Sequence, residues 1–168
     1  MAATVGVLMG SDSDWTVMES CVKQLRELDI EADVQVLSAH RTPAEVHDYV
    51  TGAADRGLQV IIAAAGMAAH LAGVVAANTT LPVIGVPIAA GSLGGLDALL
   101  STVQMPPGVP VATVGIGTPG ARNAALLAAQ VLALQDPKLA EALRNFKRKQ
   151  AEAVDRKNRI LREKVQRG

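Results

Sequence analysis

Two rhythms of apolar residues alternate along this chain. Short runs rich in Val, Ile and Ala occur at residues 4–9, 32–37, 60–64, 82–86 and 111–114. Their length and β-branched content predict strands, the first of them buried. Between them lie stretches with a helical period. At 15–28, Met18, Cys21, Val22 and Leu25 recur on one face. Further helices are predicted at 43–56, 68–77, 96–103 and 121–134, and a last one from Pro137 to about residue 165.

The punctuation fits these boundaries. Gly10-Ser11-Asp12-Ser13-Asp14 reads as a turn that opens a helix. Thr42, Pro43 and Glu45 read as N-cap, first helical residue and capping-box partner. Gly57 sits where a helix C-cap is expected. Residues 87–95 form a Gly-rich loop. Residues 104–110, with Pro106, Pro107 and Pro110, can be neither helix nor central strand.

Strand and helix alternate throughout, which predicts a parallel sheet covered on both faces, with right-handed crossovers. Five strands in a chain of 168 residues suggest the three-layer α/β/α, flavodoxin-like order 2-1-3-4-5. Residues 1–136 then form the catalytic domain, and 137–168 a helical arm belonging to the same domain and its oligomer interface. The switch point falls between strands 1 and 3. Three turns converge there, at residues 10–14, 38–42 and 66–73.

Two features predict a homo-oligomer. The 121–134 helix is apolar almost all round, and a sheet can cover only one side of it. The last helix would span about 45 Å, longer than the body of such a domain, with Leu139, Leu143, Phe146, Gln150, Ala153, Leu161 and Val165 near one stripe.

Composition narrows the function. Trp15, Tyr49 and Phe146 are the only aromatic residues, which gives no support to base stacking on single-stranded nucleic acid. Formal net charge is zero, yet before Pro137 the only cations are Lys23, Arg26, Arg41, Arg56 and Arg122. The globular part is acidic and the arm basic. A solvated helix face explains the arm better than nucleic-acid binding. Cys21 is the single cysteine, so no disulfide forms within the chain, in keeping with a reducing cytoplasm. The first residues, Met1 to Thr4, lack the basic stretch of a signal peptide. Residues 60–77 are apolar, but Gly, Ala and His70 argue for a strand and a helix rather than a membrane span.

The candidate chemistry lies at the converging turns. Ser11 and Ser13 place hydroxyls beside the free N–H groups of a helix start, a generic phosphate cradle; the alternative is plain N-capping by Ser13 or Asp12. Asp14 can accept from a ribose diol. Arg41 is the one cation at a strand's carboxyl end, suited to a phosphate or to a salt bridge with Asp12 or Asp14. His40 beside it offers a side chain that can both donate and accept a proton. His70 follows another strand at the same edge, among small residues that let a ligand approach the backbone. His47 falls inside a helix and reads as surface or packing. No metal-ligand set, Walker sequence, GxGxxG or nucleophile elbow occurs. The residues present suit a substrate that brings its own reactivity to a protein that moves a proton.

These residues belong to a pattern. Residues 9–15 (MGSDSDW), 38–43 (SAHRTP), 69–71 (AHL), 82–87, 95–100 (GLDALL) and 103–106 (VQMP) resemble class I N5-carboxyaminoimidazole ribonucleotide mutase of bacterial purine biosynthesis, over about residues 4–150. The resemblance implies isomerisation of an N-carbamate to its C4-carboxylated isomer without ATP, metal or organic cofactor. It implies a cytoplasmic octamer, fed by an ATP-dependent synthetase of the N-carbamate, with no membrane or nucleic-acid partner. By position it implies that Ser11, Ser13 and Arg41 hold the phosphate region and Asp14 the ribose. His40 would be the acid/base. Ser38, Ala39, Gly66, Ala69, His70 and Leu71 would complete the substrate site, with His70 and the 66–71 backbone at the carboxylate and carbon dioxide pocket. Residues 91–95 and 105–108 would close it. The chain departs from the family at Met67, where a Gly is usual, and at Ala72, where a Pro is usual. A methionine there is expected to narrow the pocket or to exclude a positive φ. Three other readings follow: a class II enzyme that carboxylates aminoimidazole ribonucleotide directly, a non-catalytic nucleotide-binding module, and nucleic-acid binding through the tail. The loop at 69–71 favours class I over class II.

Overall fold

The computed structural model describes residues 3–167. Met1 and Ala2, on which the reading of the N-terminus partly rests, lie outside them. The element order is β1 (Val5–Met9), α1 (Trp15–Arg26), β2 (Ala32–Val36), α2 (Pro43–Thr51), β3 (Val60–Gly66), α3 (Leu71–Ala77), β4 (Val83–Ile88), α4 (Leu96–Val103), β5 (Ala112–Thr113), α5 (Gly117–Leu132) and α6 (Pro137–Arg167). The five strands pair in parallel in the order β2-β1-β3-β4-β5.

Every residue of β1 and β4 is buried, yet the pleat still sorts them. Val5, Val7, Met9, Val60, Ile62, Ala64, Ile84 and Val86 face α1, α5 and α6. Leu8, Ile61, Ala63 and Val83 face the other way, with Val46 and Val50 of α2 and Leu71, Ala72 and Val75 of α3. Gly85 of β4 shows why a side chain is missing there. A Cβ would strike the Thr102 methyl, so glycine lets α4 settle on the sheet.

The boundaries differ from expectation at informative places. β4 runs through Pro87 to Ile88, because β5 pairs only with Ile84 and Gly85. No ladder partner waits on that side of Pro87, so its missing N–H costs nothing. α2 ends at Thr51, and a looser turn continues to Gly57. There Leu58 N–H donates to Ala53 O at 3.1 Å and Gly57 N–H to Ala54 O at 2.9 Å, a Schellman ending with Gly57 at φ +91°. The Thr42–Glu45 capping box does not form. Thr42 Oγ1 instead accepts from Ser38 N–H at 2.9 Å. α3 begins at Leu71 rather than at residue 68, since residues 67–70 turn tightly.

α5 is not left for a neighbour to cover in full. Its alanine face (Ala121, Ala124, Ala125, Ala128, Ala129) is buried against the sheet. α1 and α6 flank it and leave Leu126, Leu127, Val131 and Leu132 partly covered. Among the described residues no helix is long and apolar enough to cross a membrane.

Candidate functional site

The chain leaves β1 toward α1 on one face of the sheet, and leaves β3 toward α3 on the other. The loops therefore part at the carboxyl ends of these neighbouring strands and leave a crevice. A cleft of about 510 Å³ lies there, lined by Gly10, Ser11, Ser13 and Asp14 from the first loop, by residues 38–41 from the second, and by 65–68, His70, Leu71 and Ala90.

The first loop is held by its own hydrogen bonds. Ser11 is the N-cap of the short 3-10 turn at Asp12–Asp14, rather than Ser13 or Asp12. Its hydroxyl accepts from Ser13 N–H at 3.3 Å, while the Asp14 carboxylate accepts from Ser11 N–H at 3.1 Å, a reciprocal capping box. Ser13 Oγ donates to Ser11 Oγ at 2.9 Å, so the two hydroxyls sit side by side. Asp14 is buried. Burial pushes its carboxyl above the usual value of 3.8, against the pull of the Ser11 N–H bond.

Arg41 binds the loops together. Its Nη2 donates to Gly10 O at 2.8 Å and its Nε to Ser38 Oγ at 3.3 Å. Ser38 Oγ also accepts from the Arg41 backbone N–H at 3.2 Å. Among the described residues Arg41 makes no ion pair with Asp12 or Asp14. The guanidinium stays exposed, with donors left for a ligand.

The two histidines meet. His40 Nε2 lies 2.7 Å from His70 Nδ1, with the rings edge to face at 4.8 Å. One nitrogen donates and the other accepts, so the contact carries a single proton whose side depends on the tautomers. Both rings are exposed at the cleft. His47, by contrast, lies out on α2 with Nδ1 3.3 Å from Asn78 Oδ1.

The third loop contains Met67. Met67 adopts φ +56°, the left-handed conformation that a methionine was expected to exclude, and its side chain is 60% exposed. Gly66 is tightly confined, since a Cβ there would sit 2.8 Å from that of Ala90. Ala69 is the one candidate that does not line the cleft. It is buried, and its N–H donates to Ser101 Oγ at 3.1 Å; that hydroxyl donates in turn to Asp97 O at 2.7 Å. Ser101 of α4 thus props the His70 loop, a link that no residue pattern signalled. Residues 91–95 and 105–108 do not line the cleft. The chemistry available is one proton relay, paired hydroxyls with an arginine for an anion, and a buried carboxylate that accepts from N–H or O–H donors.

Comparisons with known proteins agree with one another. The family model described as AIR carboxylase matches residues 4–153. N5-carboxyaminoimidazole ribonucleotide mutase of Mycobacterium tuberculosis (strain ATCC 25618 / H37Rv) is 57% identical over 157 residues, covering 94% of this chain and 89% of that protein. The protein of the same name from Bacillus subtilis (strain 168) is 54% identical over 143 residues, covering 85% and 88%. The crystal structure of Treponema denticola PurE matches with a TM-score of 0.82 at 30% identity, covering 90% of this chain and 94% of that one.

Proposed function

The chain belongs to the AIR carboxylase family, and from that premise we propose that it is a mutase, converting N5-carboxyaminoimidazole ribonucleotide to 4-carboxy-5-aminoimidazole ribonucleotide in purine biosynthesis. The observation that carries this reading is the His40–His70 contact at 2.7 Å, in a cleft whose opposite wall is the Ser11–Asp14 turn.

In this reading the phosphate binds at Ser11, Ser13 and Arg41, and the ribose hydroxyls donate to Asp14. The heterocycle lies over His40, against the backbone of Ser38 and Ala39. Its carboxylate points toward His70, Gly66 and Leu71, with Ala69 behind them. The N–CO2 bond breaks and carbon dioxide leaves, while His40 delivers a proton to the departed nitrogen. C4 then attacks the trapped carbon dioxide, and His40 takes the C4 proton back, so that it ends as it began. The carboxyl group comes from the substrate itself, so the step needs no separate carboxyl donor, ATP or metal.

The working unit is a homo-oligomer, with eight copies as the expected number. Leu96, Leu100 and Val103 of α4, with Leu93 just before it, leave an apolar surface exposed, and the distal part of α6 is exposed almost throughout. Residues 91–95 and 105–108 would close the cleft from a neighbouring subunit. The enzyme would act in the cytoplasm, supplied by an ATP-dependent synthetase of the N-carbamate. The test is an assay of purified protein on both candidate substrates. Turnover of the N-carbamate is expected; turnover of aminoimidazole ribonucleotide with bicarbonate alone would assign the class II reaction instead. Tight binding with neither reaction would make the protein a binding module.

A further inference from the structure

The charge of this chain is divided at Pro137. Residues 1–136 carry twelve acids and five cations, a net −7, and residues 137–168 carry eleven cations and four acids, a net +7. The positive half is α6, thirty-one residues from Pro137 to Arg167 with no Gly or Pro after the first position, hence straight and about 46 Å long.

Only its start is attached. Leu139 is buried, and Ala142, Leu143 and Phe146 are partly covered. From Lys147 to Gln166 every residue except Ala153 is exposed. The apolar stripe nevertheless continues. At the helical period, Val154, Leu161 and Val165 fall in line with Leu139 and Leu143, and all three are more than half exposed. A twenty-residue helix with an uncovered apolar stripe is only marginally stable by itself. A straight helix cannot bend back, so its own body cannot cover that stripe.

We propose that the distal half of α6 docks on the acidic shoulder of a second copy of this chain, at the amino-terminal end of the sheet. A cleft of about 550 Å³ lies there, remote from the histidines, between the α1–β2 turn and the α5–α6 elbow. In the run from Glu27 to Glu31, Leu28 and Ile30 are buried while Glu27, Asp29 and Glu31 are exposed. Among the described residues no cation pairs with these three acids. Leu161 and Val165 would cover the apolar floor of this cleft, with Arg159, Arg162 and Lys164 over the acids. Charge selects this arrangement over arm-to-arm pairing, which would bring two strongly basic stripes together. It also favours a protein partner over a nucleic acid, since Glu152, Asp155 and Glu163 interrupt the basic surface.

The proposal rests on the assembly put forward above, and its test reads the arm itself. Full-length protein labelled with nitrogen-15 is mixed with unlabelled protein, reassembled, and treated with a carbodiimide that joins a lysine amine to a carboxylate without a spacer. Cross-links from Lys157 or Lys164 to Glu27, Asp29 or Glu31 are expected between differently labelled chains, together with slow amide exchange over residues 150–165. The double variant Arg159→Glu with Arg162→Glu should lose both signals. Adding Glu27→Lys and Glu31→Lys should restore the slow exchange. An assembled protein whose arm exchanges freely, or is cross-linked only within one chain, overturns the docking while leaving the mutase reading intact. A monomer overturns both the docking and the assembly. An arm protected only when duplex DNA or anionic vesicles are added assigns it to that partner instead.

Discussion

His40 Nε2 and His70 Nδ1 are 2.7 Å apart although thirty residues separate them in sequence, because β1 alone lies between β2 and β3. Each ring fixes the other's tautomer, so the nitrogen that meets the substrate is chosen by the pair. His40→Asn should lower kcat by about 10²- to 10⁴-fold, the usual worth of a general acid/base, with substrate binding and assembly kept. His70→Asn should cost less and change the pH profile of kcat, since it alters the partner and not the proton donor. Steady-state kinetics with a direct binding measurement check both; a fully active His40→Asn enzyme would remove His40 from the mechanism.

Arg41 holds Gly10 O and Ser38 Oγ and still faces the cleft. Its removal withdraws the only Arg or Lys among the described residues that line that space. Arg41→Ala should raise KM by about 10- to 100-fold, as expected when a hydrogen bond to a charged group is lost. Arg41→Lys should recover little of this, because one ammonium cannot reach both loops and the ligand. A substrate trimmed of its phosphate should bind both variants and the wild type alike. If Arg41→Ala discriminates against the trimmed substrate as the wild type does, the phosphate lies elsewhere.

The inner strands β1, β3 and β4 were legible because strands buried on both faces leave continuous apolar runs, and Val60–Gly66 is such a run. The convergence of three turns followed from strand order and needed no contact information. Local capping was less legible: a Thr with a Glu three residues on reads as a box, but Ser38 takes the Thr42 hydroxyl first. Pro87 sits inside a strand that its sequence seemed to end, and only the shortness of β5 permits it. Ser101 behind the His70 loop had no signal, since a serine on a helix can point anywhere until the tertiary packing is known.

Asp14 couples stability to function. Burial raises its carboxyl above 3.8, so the native state binds this proton more tightly than the unfolded chain does. Its contribution to stability therefore falls as pH rises from about that value through the raised native one, and is flat beyond. Asp14→Asn keeps an acceptor for Ser11 N–H and removes the buried charge. The variant should be more stable than wild type at pH 7, with the gain disappearing in acid below the ordinary carboxyl range. It should also raise KM about tenfold, because a neutral acceptor holds the ribose hydroxyls less strongly. Denaturant melts across pH give the first result and kinetics the second; an equal gain over wild type at pH 7 and pH 3 would refute the linkage.

Met67 occupies φ +56°, a backbone conformation that glycine adopts freely. A left-handed conformation costs an L-residue about 1–2 kcal/mol, and glycine's extra freedom in the unfolded chain returns about 0.5–1 kcal/mol of that. The exposed side chain contributes little burial to set against the strain. Met67→Gly should therefore stabilise the protein by about 0.5–1 kcal/mol, raising Tm by about 1–4 °C for a chain of this size. Met67→Ala keeps the strained backbone and removes the same side chain, so it should bring no such gain. Thermal melts of the two variants separate the causes. Equal shifts would mean that the methionine side chain, and not its backbone angle, sets the stability of the loop beside His70.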